Sequence, residues 1–107
     1  MLFICTQNLL RSPTAERIFS DRVGLEVASA GVAADAVNPV SAELVQWADL
    51  IFVMEKRHRD VLFRRFRRPL QDKRVVCLDI PDEFDFMDPV LVRLLEAKAG
   101  PLLPVEC

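Results

Sequence analysis

The feature that most constrains this chain is its opening stretch, MLFICTQNLLRSPTAERIFS. Leu2-Phe3-Ile4-Cys5 is a short apolar run with the character of a buried strand. A polar turn, Thr6-Gln7-Asn8, follows it, and Arg11-Ser12-Pro13 then has the form of a helix start. Proline suits a first helical position because its missing N–H would have had no partner there. Ser12 is expected to cap that helix, and Glu16 to face the positive end of its dipole. Cys5 therefore closes a strand, and Arg11 stands six residues later, with a loop and a helix N-terminus between them. Backbone amides and a positive helix end converge there on a thiol, which suits a phosphate-sized anion and favours a thiolate. A lone cysteine at a strand end is commonly a small buried apolar residue. Arg11, Ser12 and the helix start turn this one towards an anion site.

Beyond that stretch, strand and helix patterns alternate. Leu25 to Gly31 is a strand ending at a glycine turn, and Val32 to Pro39 is a loop of small residues. Ser41 opens a short helix over 42–48, and Asp49 to Met54 is a largely apolar run of the kind found in central parallel strands. Lys56 to Arg67 is basic and amphipathic, with Val61, Leu62, Phe63 and Phe66 as its apolar side. Lys73 to Asp79 is a fourth strand, Asp88-Pro89 opens a last helix over 90–98, and Gly100-Pro101 stops it. The alternation predicts an α/β fold, a four-stranded parallel sheet with helices on both faces, as one domain over 1–107. Ligands bind such sheets beyond the carboxyl ends of the strands. Cys5, Met54-Glu55 and Asp79 to Asp82 all fall at such ends, so an anion loop and an acidic loop share one rim.

Hydrophobic residues make up 51% of the chain, enough for a core, and the formal net charge of −2 argues against a general nucleic-acid or membrane-surface binder. No apolar run approaches the ~20 residues of a spanning helix, and the start lacks the charged region of a signal peptide. Cys5, Cys77 and Cys107 show no metal-ligand spacing, so the expectation is a cytoplasmic protein with reduced thiols. Cys77 is expected in the core, and Cys107 carries no inferred role. His58, the only histidine, lies between Arg57 and Arg59 and is expected on a solvated surface. The arginine-rich run from Lys56 to Arg68 is expected to be a solvated face, with docking of an acidic partner or nucleic acid as the rival reading. Lys56 and Arg57 would fall on the active rim and attract a phosphorylated substrate.

Cys5-Thr6-Gln7-Asn8-Leu9-Leu10-Arg11-Ser12-Pro13 has the form C-x5-R-S-P and resembles the signature of the low-molecular-weight protein tyrosine phosphatases. Ser29-Ala30-Gly31, Ala48 to Glu55, and Leu78-Asp79-Ile80-Pro81-Asp82 resemble further motifs of that family, in the family's order. The resemblance implies a three-layer sandwich and a phosphate monoester hydrolase, a protein tyrosine phosphatase working through a cysteinyl-phosphate. It implies Cys5 as nucleophile, Arg11 on the phosphoryl oxygens, Asn8 shaping the loop and Ser12 bonding the thiolate. Thr6, Gln7, Asn8, Leu9, Leu10, Arg11 and Ser12 would wrap the substrate phosphate. Backbone dipoles and Arg11 would neutralise its charge, so neither metal nor organic cofactor is called for. The expected ligands are a phosphorylated protein or a small phosphomonoester, with phosphate or sulfate as the simplest anion.

The general acid is expected at Asp82 or Asp88. Asp82 follows Ile80-Pro81 directly after a strand, where the family carries its acid, while Asp88 precedes a proline, as the family's acid usually does. Asp followed by Pro is also a good helix start. Phe84 and Phe86, between them, are candidates for a substrate contact or for core. The chain departs from the family in Gln7, where glycine is usual, in Leu10, where many members have a second cysteine, and in a shorter segment between Gly31 and Ala48. It has no tyrosine, and Trp47 falls in a helix rather than at the site. Three other readings therefore stay open: a weakly catalytic phosphate- or phosphoprotein-binding module, an arsenate-reductase-like enzyme, and a nucleic-acid-associated protein.

Overall fold

The computed structural model describes residues 1–22 and 24–103. Its elements are β1 (Leu2–Cys5), α1 (Arg11–Phe19), β2 (Ala28–Gly31), α2 (Ala42–Trp47), β3 (Leu50–Val53), α3 (Lys56–Arg65), α4 (Arg67–Leu70), β4 (Arg74–Cys77) and α5 (Pro89–Lys98). The strands form a four-stranded sheet in the order β2-β1-β3-β4, parallel throughout. In the register, Cys5 stands level with Gly31 on one side, and Ile4 with Val53 on the other.

The two-residue period of a strand divides the core into two layers. Phe3, Cys5, Phe52 and Met54 pack on one face with Ala15 and Phe19 of α1 and Leu91 and Leu95 of α5. Leu2, Ile4, Ile51 and Val53 pack on the other with Val45 of α2, Leu62 of α3 and Leu70 of α4. Both faces are covered, which is why β1 and β3 carry no polar alternation. Phe3 stacks on Phe52 and Phe19, with ring centroids 5.0 and 5.5 Å apart. The fold is the parallel sheet with helices on both faces that the sequence predicts.

Several local expectations are corrected. Leu10, not Ser12, is the N-cap of α1, and it provides no side-chain cap. Ser12 lies inside the first turn because its hydroxyl is held by the site. Pro13 remains in that turn, where an N–H has no intrahelical partner, and Glu16 lies beyond it. The helix expected over 56–67 breaks at Phe66 (φ −130°, ψ 41°) into α3 and α4. Phe63, expected on its apolar side, is 43% exposed. Cys77 is half-buried on the edge strand rather than a core residue, and Cys107 lies outside the described residues. Ser41 caps α2 as expected, accepting from the Leu44 amide at 3.2 Å. Among the described residues, no helix is long and apolar enough to cross a membrane.

Gly31 fixes how closely β2 approaches the loop after β1. A Cβ there would lie 2.5 Å from the Thr6 carbonyl oxygen, 2.7 Å from the Ala36 Cβ and 2.9 Å from the Asn8 amide nitrogen. No side chain fits without displacing the loop, so this position needs a glycine for close approach.

Candidate active site

The loop from Thr6 to Leu10 spends its carbonyls on the fold. Cys5, Thr6 and Gln7 carbonyls accept from the amides of Val32, Ala33 and Val37, each at 3.0 Å, and Leu10 accepts from Thr14 at 3.1 Å. Among the described residues, no amide from Thr6 to Ser12 donates to a backbone carbonyl outside its own helix or strand. Unspent amides at the start of α1 form a concave donor surface for an anion. Asn8 takes the left-handed conformation, φ 57°, that asparagine tolerates better than most residues. Gln7 is not among the positive-φ residues, so glycine is not required at its position. The loop walls a cavity of about 140 Å³, lined by Cys5, Thr6, Gln7, Leu9, Leu10 and Arg11 together with Arg57 and Asp82.

A directional chain of hydrogen bonds ends at the thiol. The Ser29 hydroxyl donates to Glu16 Oε1 in a short bond. Asn8 Nδ2 donates to Ser29 Oγ and to Ser12 Oγ, both at 2.9 Å. Ser12 Oγ, an acceptor from Asn8, lies 2.9 Å from Cys5 Sγ and 3.3 Å from the Ala30 carbonyl oxygen, so its one hydrogen has two acceptors within reach. Asn8 and Ser12 are buried, and each link leaves the next oxygen with a hydrogen to give.

Arg11 is held by its back. Nη1 donates to Glu55 Oε2 and to the Ile80 carbonyl, both at 2.7 Å, which uses both of its hydrogens. Nε lies 3.8 Å from Asp82 Oδ1, an ion pair rather than a hydrogen bond. Nη2 and Nε thus keep N–H groups for an oxyanion, in the fork that guanidinium presents. Arg11 is only 2% exposed, so Glu55 balances a buried charge. Burial alone would raise the Glu55 carboxyl, but hydrogen bonds from Arg11 and Arg57 outweigh it and hold it below the ordinary carboxylate range.

His58 is fully buried, against the expectation of a solvated surface position. Its Nδ1 accepts from the Glu55 amide at 3.1 Å, so the neutral ring carries its proton on Nε2, 2.9 Å from Thr6 Oγ1. Arg57 Nη2 also donates to Thr6 Oγ1, at 2.7 Å. With both lone pairs engaged, the Thr6 hydroxyl hydrogen remains for a ligand in the cavity. Burial, then the charges of Arg11 and Arg57, push His58 down to about 4 against the opposing pull of Glu55 and Asp82. The unfolded chain takes up this proton near 6.5 and the folded chain only near 4, so stability falls as pH drops through that window. We expect this histidine to cost about 2 kcal/mol between pH 7 and pH 5. Urea denaturation at the two pH values should show the loss, and His58→Gln should flatten it. A slope equal in wild type and variant would contradict the assignment.

The two acid candidates separate. Asp82 lies on the cavity and is 60% exposed. Asp88 caps α5, accepting from the Val90 amide at 2.8 Å, and does not line the cavity. Phe84 packs against the core, while Phe86 is half exposed. Trp47 lies in α2, as expected, and is 41% exposed. Sequence reasoning missed the supporting roles of Glu16, Ser29, Glu55 and His58. The Glu55-x-x-His58 spacing at a helix start was the available signal, since it brings the two residues across one turn.

A family model described as low molecular weight phosphotyrosine protein phosphatase matches residues 1–46. The chain is 33% identical to the protein-arginine-phosphatase of Bacillus subtilis (strain 168), in a match covering 64% of this chain and 63% of that protein. It therefore spans just under two thirds of that relative's length. The YwlE arginine phosphatase from Geobacillus stearothermophilus has a TM-score of 0.73 at 25% identity, over 94% of this chain and 90% of that one. The tyrosine phosphatase Wzb from Escherichia coli K30, solved in complex with phosphate, has a TM-score of 0.75 at 23% identity, over 94% and 93% of the two chains. That last likeness is one of fold.

Proposed function

We propose that the chain is a member of the low-molecular-weight phosphotyrosine protein phosphatase family, which its similarity to that family's model and to the arginine phosphatases supports, and that it is a cysteine-dependent phosphate monoester hydrolase acting on phosphotyrosine in proteins. The observation that carries this reading is the loop itself. Unspent amides, the forked end of Arg11 and the Ser12-bonded Cys5 sulfur meet at one cavity of about 140 Å³.

In the proposed reaction the Cys5 thiolate attacks phosphorus and forms an S–P bond. The bond from phosphorus to the tyrosine oxygen breaks as Asp82 gives that oxygen its proton. Asp82, now a carboxylate, takes a proton from water as the water attacks the phosphocysteine. Inorganic phosphate leaves and the thiolate returns. The loop amides and Arg11 hold the phosphoryl oxygens throughout, so charge developing on them meets preorganised donors. A nucleophile that must stay reduced suits the cytoplasm.

The cavity mouth supports an aryl ester over phosphoarginine. Leu9 is 57% exposed there and offers apolar surface. Thr6, whose lone pairs are engaged by His58 and Arg57, presents its hydroxyl hydrogen, which an ester oxygen can accept and a protonated guanidino group cannot. Asp82→Asn should lower kcat for phosphotyrosine peptide by about 10²- to 10³-fold. Asp88→Ala should leave kcat near wild type and cost about 1 kcal/mol of stability through the lost cap. The reverse pattern would move the acid to Asp88. Matched phosphotyrosine and phosphoarginine peptides should differ in kcat/KM in favour of tyrosine. The opposite order would overturn the tyrosine assignment and keep the phosphatase.

A further inference from the structure

Three hollows continue the loop cavity along α3 and α4. The loop cavity and the first hollow share Arg57, the first and second share Asp60 and Arg64, and the second and third share Phe63 and Arg67. They make one trough from the anion loop to Arg68. Arg57, Asp60 and Arg64 recur at three and four residues, so they stand on one stripe of α3. Arg64, Arg67 and Arg68 are exposed, and among the described residues none has a carboxylate within ion-pair reach. The chain carries a net charge of −2, yet this side sets four arginines against Asp60. Phe63, 43% exposed, stands among them.

We propose that the trough docks an acidic segment of the phosphoprotein substrate, the residues flanking the phosphorylated one, with an apolar side chain of that segment against Phe63. The inference rests on the phosphatase reading of the loop cavity and adds the sequence it selects. The dimensions agree. Arg57 to Arg64 is about 10 Å along a helix, the span of about three residues of extended peptide. The first acidic contact therefore falls about three residues from the phosphoresidue. Single exposed ion pairs contribute little, but several cations converging on one strand of carboxylates add together and speed encounter. Asp60 within the trough and the negative charge of the whole chain disfavour a continuous polyanion, so a peptide fits better than a nucleic acid.

The test uses two phosphotyrosine peptides, one with Asp and Glu in the flanking positions and one with Asn and Gln in their place. The acidic peptide should have about tenfold higher kcat/KM at low salt and lose most of that preference at about 0.5 M salt. The combined Arg64→Gln, Arg67→Gln and Arg68→Gln variant should erase the preference and leave para-nitrophenyl phosphate turnover at the wild-type level. Equal rates for the two peptides, or a preference that survives the triple substitution, overturns the trough. Fluorescence anisotropy of the same peptides on Cys5→Ser protein reads docking without turnover. Acid-selective binding beside a wild type that hydrolyses nothing would keep the trough and reject the phosphatase reading. Displacement of the acidic peptide by a tighter-binding single-stranded oligonucleotide would overturn the peptide as occupant.

Discussion

Cys5→Ser should abolish turnover, lowering kcat for para-nitrophenyl phosphate by about 10⁴-fold or more, while inorganic phosphate still binds. Serine is close in size, and Cys5 is buried against Phe52 and Met54 in the same core layer, so the fold has no reason to change. The Ser12, Asn8 and Ser29 bonds do not depend on the sulfur for their own satisfaction. A serine hydroxyl, however, does not ionise near neutral pH, and the structure offers it no base: His58 is committed to Glu55 and Thr6. The amides of Thr6 to Ser12 and the free edge of Arg11 remain to hold phosphate. Steady-state kinetics beside calorimetric titration of phosphate separates the two effects. Turnover retained in the variant would remove Cys5 from the mechanism.

Arg11→Lys should cost about 10³-fold in kcat/KM, the next largest effect, although the charge is kept. The guanidinium works at both edges at once. Its back is fixed by Glu55 and Ile80, and its other N–H groups face the site. An ammonium is a point charge that cannot bridge a carboxylate and a carbonyl while also presenting a fork. Stability should fall too, by about 2 kcal/mol, below the usual 3–5 for breaking a buried pair. The discount reflects Glu55, which is 30% exposed and still paired with Arg57. Kinetics and urea denaturation on one preparation measure both losses. A variant as active as wild type would mean that the loop amides alone hold the anion.

The strands that carry the site were legible because their burial is two-sided. The runs Leu2 to Cys5 and Leu50 to Val53 have no polar alternation, and that absence is itself the mark of a central parallel strand. The loop was legible because Cys5, Arg11 and the helix start are close in sequence. Ser12 shows the limit of local reasoning. Its residue type and position satisfy every rule for a cap, yet its hydroxyl binds Cys5, because a site contact across seven residues outweighs a cap worth about 1 kcal/mol. His58 failed for a related reason. Its charged neighbours Arg57 and Arg59 suggest a solvated turn, yet α3 carries the imidazole inward to the Thr6 hydroxyl, 52 residues away in sequence. Arg57 reaches the same hydroxyl from the cavity side. Glu16 and Ser29 meet only after α1 and β2 pack, so neither showed its role beforehand. The Asp88 cap was expected from Asp88-Pro89, whereas the place of Asp82 on the cavity depends on how the loop after β4 folds back to the rim.

The most direct measurement is acid quench of the protein during para-nitrophenyl phosphate turnover, followed by peptide mass spectrometry. The mechanism places one phosphoryl group on Cys5. Asp82→Asn should raise its amount, because nitrophenolate leaves without an acid while the attacking water still needs a base. Turnover with no phosphoryl group on Cys5 in either protein, or with the group on another residue, would contradict the account.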